Sequence, residues 1–292
     1  MRISDLIENN TKSKHKTLCI IRAEEDSIIE VVSRALKTNM CKFVLVGDEC
    51  EIARLLRLKD IELDEVEIVN QIDDAQAVEY GVNLVQEGKA DAIMKGNIET
   101  STLLKNLFKK EYNFINGNLI NYLAVFELER YHKLLFITDP AINIAPTLEQ
   151  KKLMIENSVT ILDKFGYAKP KIGVLCAKEN VSEKMPATVD ARDLTEYFSK
   201  NKYFDVYGPL AFDNAICKEA AVSKGITSEV AGDVDLLVCH NIEQANTLYK
   251  SLTYMAGAKN AGIVIGMKVP IVLTSRTDEV ETKLASMALS LG

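Results

Sequence analysis

The chain alternates short apolar runs with longer segments in which apolar residues recur every three or four positions. TLCIIRA (17–23), KFVLVG (42–47), VEIVN (66–70) and ADAIMKG (90–96) each precede a helical pattern, as do KIGVLCA (171–177) and VDLLVC (234–239). Lone runs of this length, apolar on both faces, suit parallel strands joined by crossover helices. Helical periods over 73–88 and 148–166 supply such crossovers, and the second should stop at Gly166, a glycine C′ position. Between 111 and 137 the rhythm changes. NLINYLAVFELER and HKLLFIT read as two extended runs about a short turn, an antiparallel hairpin. Near the end, VPIVLT (269–274) is one more strand, followed by a helix from about Asp278. Gly208-Pro209 and Val230-Ala231-Gly232 read as rigid turns. The predicted class is α/β.

With 292 residues, 47% of them apolar and 26% charged, the chain can form one large domain or two sharing a cleft. No apolar run reaches the ~18 residues of a membrane span. The opening MRISDLIENNTKSKHK has no apolar signal core, so a cytoplasmic location is expected. The six cysteines form no CxxC pair, and Cys19, Cys176 and Cys239 lie in apolar runs as core thiols. A net charge of −7 argues against nucleic acid as a partner. It leaves room for an anionic ligand held by local cations and helix N-termini. Walker, GxGxxG and GxSxG patterns are missing, and His15, His132 and His240 are too separated to suggest a metal site.

Candidate chemistry gathers where apolar strands end. Ser275-Arg276-Thr277-Asp278 joins a strand to the last helix, at the kind of edge where open α/β sheets bind ligands. Arg276 offers a planar fork for phosphate or a carbonyl oxygen, or an ion pair that is only structural. Ser275 can hydrogen-bond a reactant or cap a turn. Asp278 and Glu281 can act as a base, or together form a capping box. Lys95, Gly96 and Asn97 follow a strand and lead into a helix opening near Thr100, an arrangement that can cradle an anion. Thr138, Asp139 and Asn143 end another strand and can orient a ligand or cap a helix. Asn246 lies on a polar helix face. Ile242, Leu248, Leu252, Tyr254 and Met255 exceed what one face of a monomer helix buries, so a homodimer or higher homo-oligomer is expected.

The order and spacing of VYGPLAFDNAI (206–216), SKGITSEVAGDVDLLV (223–238), NIEQANTLYKSLTYMAGAKNAG (241–262) and VPIVLTSRTDE (269–279) resemble the phosphate acetyl/butyryltransferase family, its butyryl branch above all. ADAIMKGNIETSTLLK (90–105) and ITDPAINIAPTLEQKKLMIENSV (137–159) fit the same pattern. The resemblance implies an isocitrate/isopropylmalate-dehydrogenase-like fold, two α/β domains with an interdomain cleft. The first domain would comprise 1–137 plus 268–292 and the second 138–267. It implies reversible transfer of a short, butyryl-like acyl group from acyl-CoA to inorganic phosphate, giving acyl phosphate and coenzyme A. Coenzyme A is then a substrate, with no cofactor and no metal. Ser275, Arg276 and Glu281 or Asp278 would be catalytic; Lys95, Gly96, Asn97, Thr100, Thr138, Asp139, Asn143 and Asn246 would bind substrate.

Three places depart from the pattern. Ile115 and Asn116 stand where an arginine before a glycine is usual, and Asn121-Tyr122 where a Ser-His pair is common. CHNIEQAN (239–246) stands where a proline-led turn, and a glycine before Asn246, are more usual. These departures keep a non-catalytic acyl-CoA-binding paralogue in play. A metal- and nicotinamide-dependent β-decarboxylating dehydrogenase of the same fold would want clustered aspartates beside an arginine trio, which the sequence lacks.

Overall fold

The computed structural model describes residues 2–9, 15–115, 117, 119–274 and 278–292. In chain order the elements are α1 (Ile3–Asn9), β1 (Thr17–Ile21), α2 (Asp26–Lys37), β2 (Lys42–Gly47), α3 (Glu49–Leu58), β3 (Glu67–Asn70), α4 (Asp74–Gln86), β4 (Ala92–Lys95), α5 (Thr100–Leu107), β5 (Asn121–Glu127) and β6 (Leu135–Thr138). There follow α6 (Leu148–Lys164), β7 (Lys171–Leu175), α7 (Pro186–Phe198), β8 (Asp205–Leu210), α8 (Phe212–Ile216), α9 (Lys218–Ser223), β9 (Leu236–Val238), α10 (Ile242–Tyr254), β10 (Lys259–Ile265), β11 (Ile271–Val272) and α11 (Val280–Leu291).

Contacts divide the chain into two compact units. One joins Ile3–Asn118 to Ala261–Gly292 and is discontinuous; the other holds Leu119–Asn260. The sequence reading drew its boundaries at 137 and 268 instead. The hairpin β5–β6 accounts for the difference at 118. It pairs within the later unit, β6 lying parallel to β9 through Phe136–Leu236, Ile137–Leu237 and Thr138–Val238.

In the discontinuous unit the strand order is β3-β2-β1-β4-β11-β10. β1, β2, β3, β4 and β11 pair in parallel, while β10 runs antiparallel to β11. The chain steps outward from β1 to β2 to β3, then crosses back to lay β4 on the far side of β1. That reversal opens a crevice at the carboxyl ends of β1 and β4, where open sheets place ligands. Every residue of β4 is buried, as its unbroken apolar run predicts. The C-terminal helix α11 packs on α1, α2 and β11, which covers this face of the sheet.

In the other unit the order is β5-β6-β9-β7-β8. β5 and β6 form the expected antiparallel hairpin; the remaining pairs are parallel. Again the chain steps outward, β6 to β7 to β8, and returns to insert β9 between β6 and β7. Helix α6 starts with a capping box between Thr147 and Gln150 and ends just before Gly166, whose φ is 84°. Gly208-Pro209, read from sequence as a turn, lies inside β8. The strand tolerates proline because it is the sheet edge and pairs only with β7.

Candidate active site

The crevice of the discontinuous unit is built from the ends of β1, β4 and β11. The N–H of Gly96 donates to Ile21 O at 2.8 Å and that of Asn97 to Arg22 O at 2.6 Å, so the 96–97 segment is stitched to the end of β1. A Cβ at Gly96 would stand 2.1 Å from Arg22 O, which is why this position holds no side chain. Arg22 takes a left-handed φ of 59° and is held by Glu24 and Asp74. Lys95 is buried and donates to Gly96 O at 3.2 Å. Asn97 and Thr100 are exposed, and α5 opens at Thr100 with Glu99 at its N-cap. β4 and β11 run in register, Ile93 opposite Ile271 and Met94 opposite Val272. One and two residues further on come Lys95-Gly96 on one strand and Leu273-Thr274 on the other, immediately before Ser275. Ser275 and Arg276 themselves lie outside the described residues, as does Asn116.

Of the two candidate bases, Glu281 is exposed on the first turn of α11 and pairs with Arg34 of α2 at 2.6 Å. Glu279, not Asp278, is the N-cap of that helix, so the capping box suggested by the spacing does not form. The reason is local: the helix starts two residues later than the periodicity implies.

The crevice of the second unit gathers the ends of β6, β9 and β7. Thr138 is fully buried; its hydroxyl donates to Tyr122 O at 3.0 Å and accepts from Asn121 Nδ2 at 2.9 Å. Asn121 also bonds Ser158 and accepts from Asn157, so this departure from the family pattern is absorbed in a buried polar network. Asp139, 2% exposed, uses both carboxylate oxygens on the loop that follows it. Oδ1 accepts from the N–H of Ala141 and Ile142 at 2.9 and 3.0 Å; Oδ2 accepts from the N–H and side chain of Asn143 at 3.1 and 2.6 Å. Burial raises its carboxyl above the usual range, against the pull of these donors. Asn143 also donates to Ile120 O at 2.8 Å, and Asn246 on α10 to Pro140 O at 3.0 Å. Asp139 and Asn143 therefore shape the loop, and Asn246 pins it.

The sequence reading missed one member of this edge. His240 lies two residues past the end of β9; its Nδ1 is 2.9 Å from the ammonium of buried Lys151, which also binds Asp190 at 2.6 Å. The loss of the usual proline-led turn over 239–246 was the available signal. The apolar-run cysteines are buried as expected. Burial pushes the thiols of Cys19 and Cys176 up to about 12, and that of Cys239 up as well, which removes them as nucleophiles. Among the described residues no group of three or more His, Cys, Asp or Glu is disposed to hold a metal ion, and no helix is long and apolar enough to cross a membrane.

Strand ends of this kind are where open α/β sheets place ligands. Comparison with known proteins makes the class specific. Residues 74–291 match the sequence model of a family described as phosphate acetyl/butaryl transferase. The chain is 40% identical over 282 residues to the phosphate butyryltransferase of Clostridium acetobutylicum, covering 96% of this chain and 94% of that protein. It is 39% identical over 292 residues to the phosphate acetyltransferase of Thermotoga maritima, covering 99% of each. The solved structure of a branched-chain phosphotransacylase from Enterococcus faecalis V583 superposes with a TM-score of 0.85 at 34% identity, over 94% of this chain and 97% of that one. The chain belongs to the phosphate acetyl/butyryl transferase family.

Proposed function

We propose that this protein catalyses reversible transfer of a short acyl group, butyryl-like in size, between coenzyme A and inorganic phosphate. The supporting observation is the in-register pair β4–β11, which delivers Lys95-Gly96 and the segment entering Ser275-Arg276 to one strand edge. Family membership supplies the reaction class. Coenzyme A enters as a substrate, and the chemistry calls for no resident cofactor or metal. The finer fold reading, an isocitrate/isopropylmalate-dehydrogenase-like pair of α/β domains, goes with this proposal.

Two anions held together make the attack effectively intramolecular. A phosphate oxygen attacks the thioester carbonyl carbon, the carbon–sulfur bond breaks, and the thiolate leaves with a proton. Arg276 stabilises the oxyanion with its fork, and Ser275 positions a reactant. Lys95, Gly96, Asn97 and Thr100 line the anion cradle. Glu281, which also pairs with Arg34, or Asp278 takes up the thiol proton. Thr138, Asp139 and Asn143 hold their loop in place, with Asn246 bracing it. Tyr254 and Met255, 72% and 87% exposed on and beside α10, support a homodimer or larger homo-oligomer.

The test is coenzyme A release from butyryl-CoA and shorter acyl-CoAs, with and without phosphate, in wild type and two Arg276 variants. Arg276→Ala and Arg276→Lys should each lose on the order of 100-fold in turnover, since lysine keeps the charge but not the fork. Near-normal turnover of both variants with a lower melting temperature would make Arg276 a structural ion-pair partner and remove the mechanism.

A further inference from the structure

Lys151 is 1% exposed, so its ammonium sits in a dry place with two partners, Asp190 Oδ2 at 2.6 Å and His240 Nδ1 at 2.9 Å. An ammonium has only protons to offer, so the imidazole nitrogen facing it must accept. Nδ1 is therefore unprotonated and the ring proton is on Nε2. A second proton would set two cations 2.9 Å apart. Burial first, and the Lys151 charge second, hold the imidazole below its usual range, with Asp190 opposing. The ring is thus neutral, of one tautomer, and bound at one end. The other end, Nε2–H, has no hydrogen-bond partner among the described residues, and the side chain is 34% exposed.

Its place in the fold matters. Val238 pairs with Thr138 on β6 and with Val174 on β7, and Cys239 N–H donates to Thr138 O at 2.9 Å. Two residues beyond Val238, His240 sits at the carboxyl edge of β9, the strand between β6 and β7. The His240 N–H is fixed by Gln244 Oε1 at 2.7 Å, so the backbone that carries the ring is anchored too. This histidine lies in CHNIEQAN (239–246), the segment that stands where a proline-led turn is more usual in the family.

We propose that His240 is a further substrate-binding residue, whose fixed Nε2–H donates to a carbonyl oxygen of the acyl-CoA, with Lys151 and Asp190 as its positioning residues. A carbonyl suits it better than a phosphate: the Lys151 charge is already matched by Asp190, and what remains is an uncharged donor in a partly buried edge. The same logic lets a neutral imidazole polarise a carbonyl in other enzymes. The carbonyl is one of the amides of the pantetheine arm. The inference rests on the acyl-CoA reading above.

The experiment combines ¹⁵N-histidine NMR of the whole protein with steady-state kinetics. In the free protein at neutral pH, His240 should show a protonated Nε2 and an unprotonated Nδ1. Adding coenzyme A or butyryl-CoA should move the Nε2 signal and leave Nδ1 in place. His240→Ala should raise KM for butyryl-CoA and Kd for coenzyme A together by about five- to tenfold. A fall in kcat with coenzyme A binding unchanged would overturn the proposal. His240→Gln, which keeps an N–H near the Nε2 position, should recover most of the loss in binding. A protonated or Nδ1–H ring, no movement of Nε2 with either ligand, or an effect confined to phosphate saturation would each overturn the proposal. So would unchanged constants in His240→Ala, whatever its melting temperature. If the wild type released no coenzyme A at all, the functional reading would fall, while the NMR titration would still decide whether His240 reads this ligand.

Discussion

Gly96→Ala should damage the cradle in a way that can be worked out from the backbone around it. The new Cβ would lie 2.1 Å from Arg22 O, and 2.8 Å from both Arg22 C and Ile21 O. All three are main-chain atoms, so no side chain can swing aside. Relief requires the 96–97 segment to retreat from β1 by about 1 Å in a close-packed setting. That retreat strains the bonds Gly96 N–H to Ile21 O at 2.8 Å and Asn97 N–H to Arg22 O at 2.6 Å. Overpacking costs about 1–3 kcal/mol and each weakened hydrogen bond up to about 1 kcal/mol, giving roughly 3 kcal/mol in all. For a chain of this size that is a fall in melting temperature of about 5 °C. The same 1 Å displaces Lys95 and Asn97 from a bound anion, a misplacement that can cost on the order of 100-fold in turnover. Thermal melting followed by circular dichroism and the coenzyme A release assay read the two effects separately. A variant that melts within about 2 °C of wild type and turns over at a comparable rate would refute the argument. It would mean that the end of β1 is soft enough to accept a methyl group, and that the stitching is not what holds the cradle.

Asn121→Ala removes the donor to Thr138 and Ser158 and takes one of the two acceptors from the Asn157 amide, which keeps Leu119 O; urea denaturation should show a loss of about 1–3 kcal/mol, and no measurable loss would mean that water or repacking replaces the network. Asp233 pairs with Lys171 at 2.6 Å and Lys133 at 3.0 Å; burial opposes its ionisation, but these partners bring its carboxyl from 3.8 down to about 2. Its pKa is depressed in the folded state, so its contribution is present above the unfolded value near 3.8 and is lost as pH falls towards 2. In full it would be about 2.4 kcal/mol, screened by solvent to about 1 kcal/mol. Stability differences between wild type and Asp233→Asn should therefore hold from pH 5 upward and shrink below pH 4, and a gap independent of pH would contradict the assignment. Glu281→Gln or Asp278→Asn should lower turnover about tenfold or more, with the loss following the pH dependence of a base; turnover within about twofold of wild type in both variants would remove both carboxylates from the reaction.

Much of the architecture was legible in the order of residues. Apolar runs such as KFVLVG and ADAIMKG are nearly free of polar positions because strands buried on both faces leave no solvent side, and they became β2 and β4. The capping box at Thr147 and the glycine at 166 mark both ends of α6 because helix ends need local partners for their unpaired backbone groups. β8 was hidden because its Gly208-Pro209 carries a turn signature, and only its place at the sheet edge makes the proline harmless. The start of α11 was shifted because Asp278 and Glu279 are both plausible caps by residue type, and it is Glu279 that stands at the N-cap.

For the site, the chemistry-bearing segments stood out because strand ends collect glycine and polar residues. What they do with those residues depends on neighbours far away in sequence. Asp139 and Asn143 bind each other and their own loop, Glu281 meets Arg34 across 247 positions, and His240 meets Lys151 across 89. The linear order of residues thus determined which elements form and which of their ends carry polar groups, because those follow from local period and backbone chemistry. The tertiary structure alone decided which polar atoms are already spent and which remain to meet a ligand, because hydrogen-bond partners are set by strand order and register.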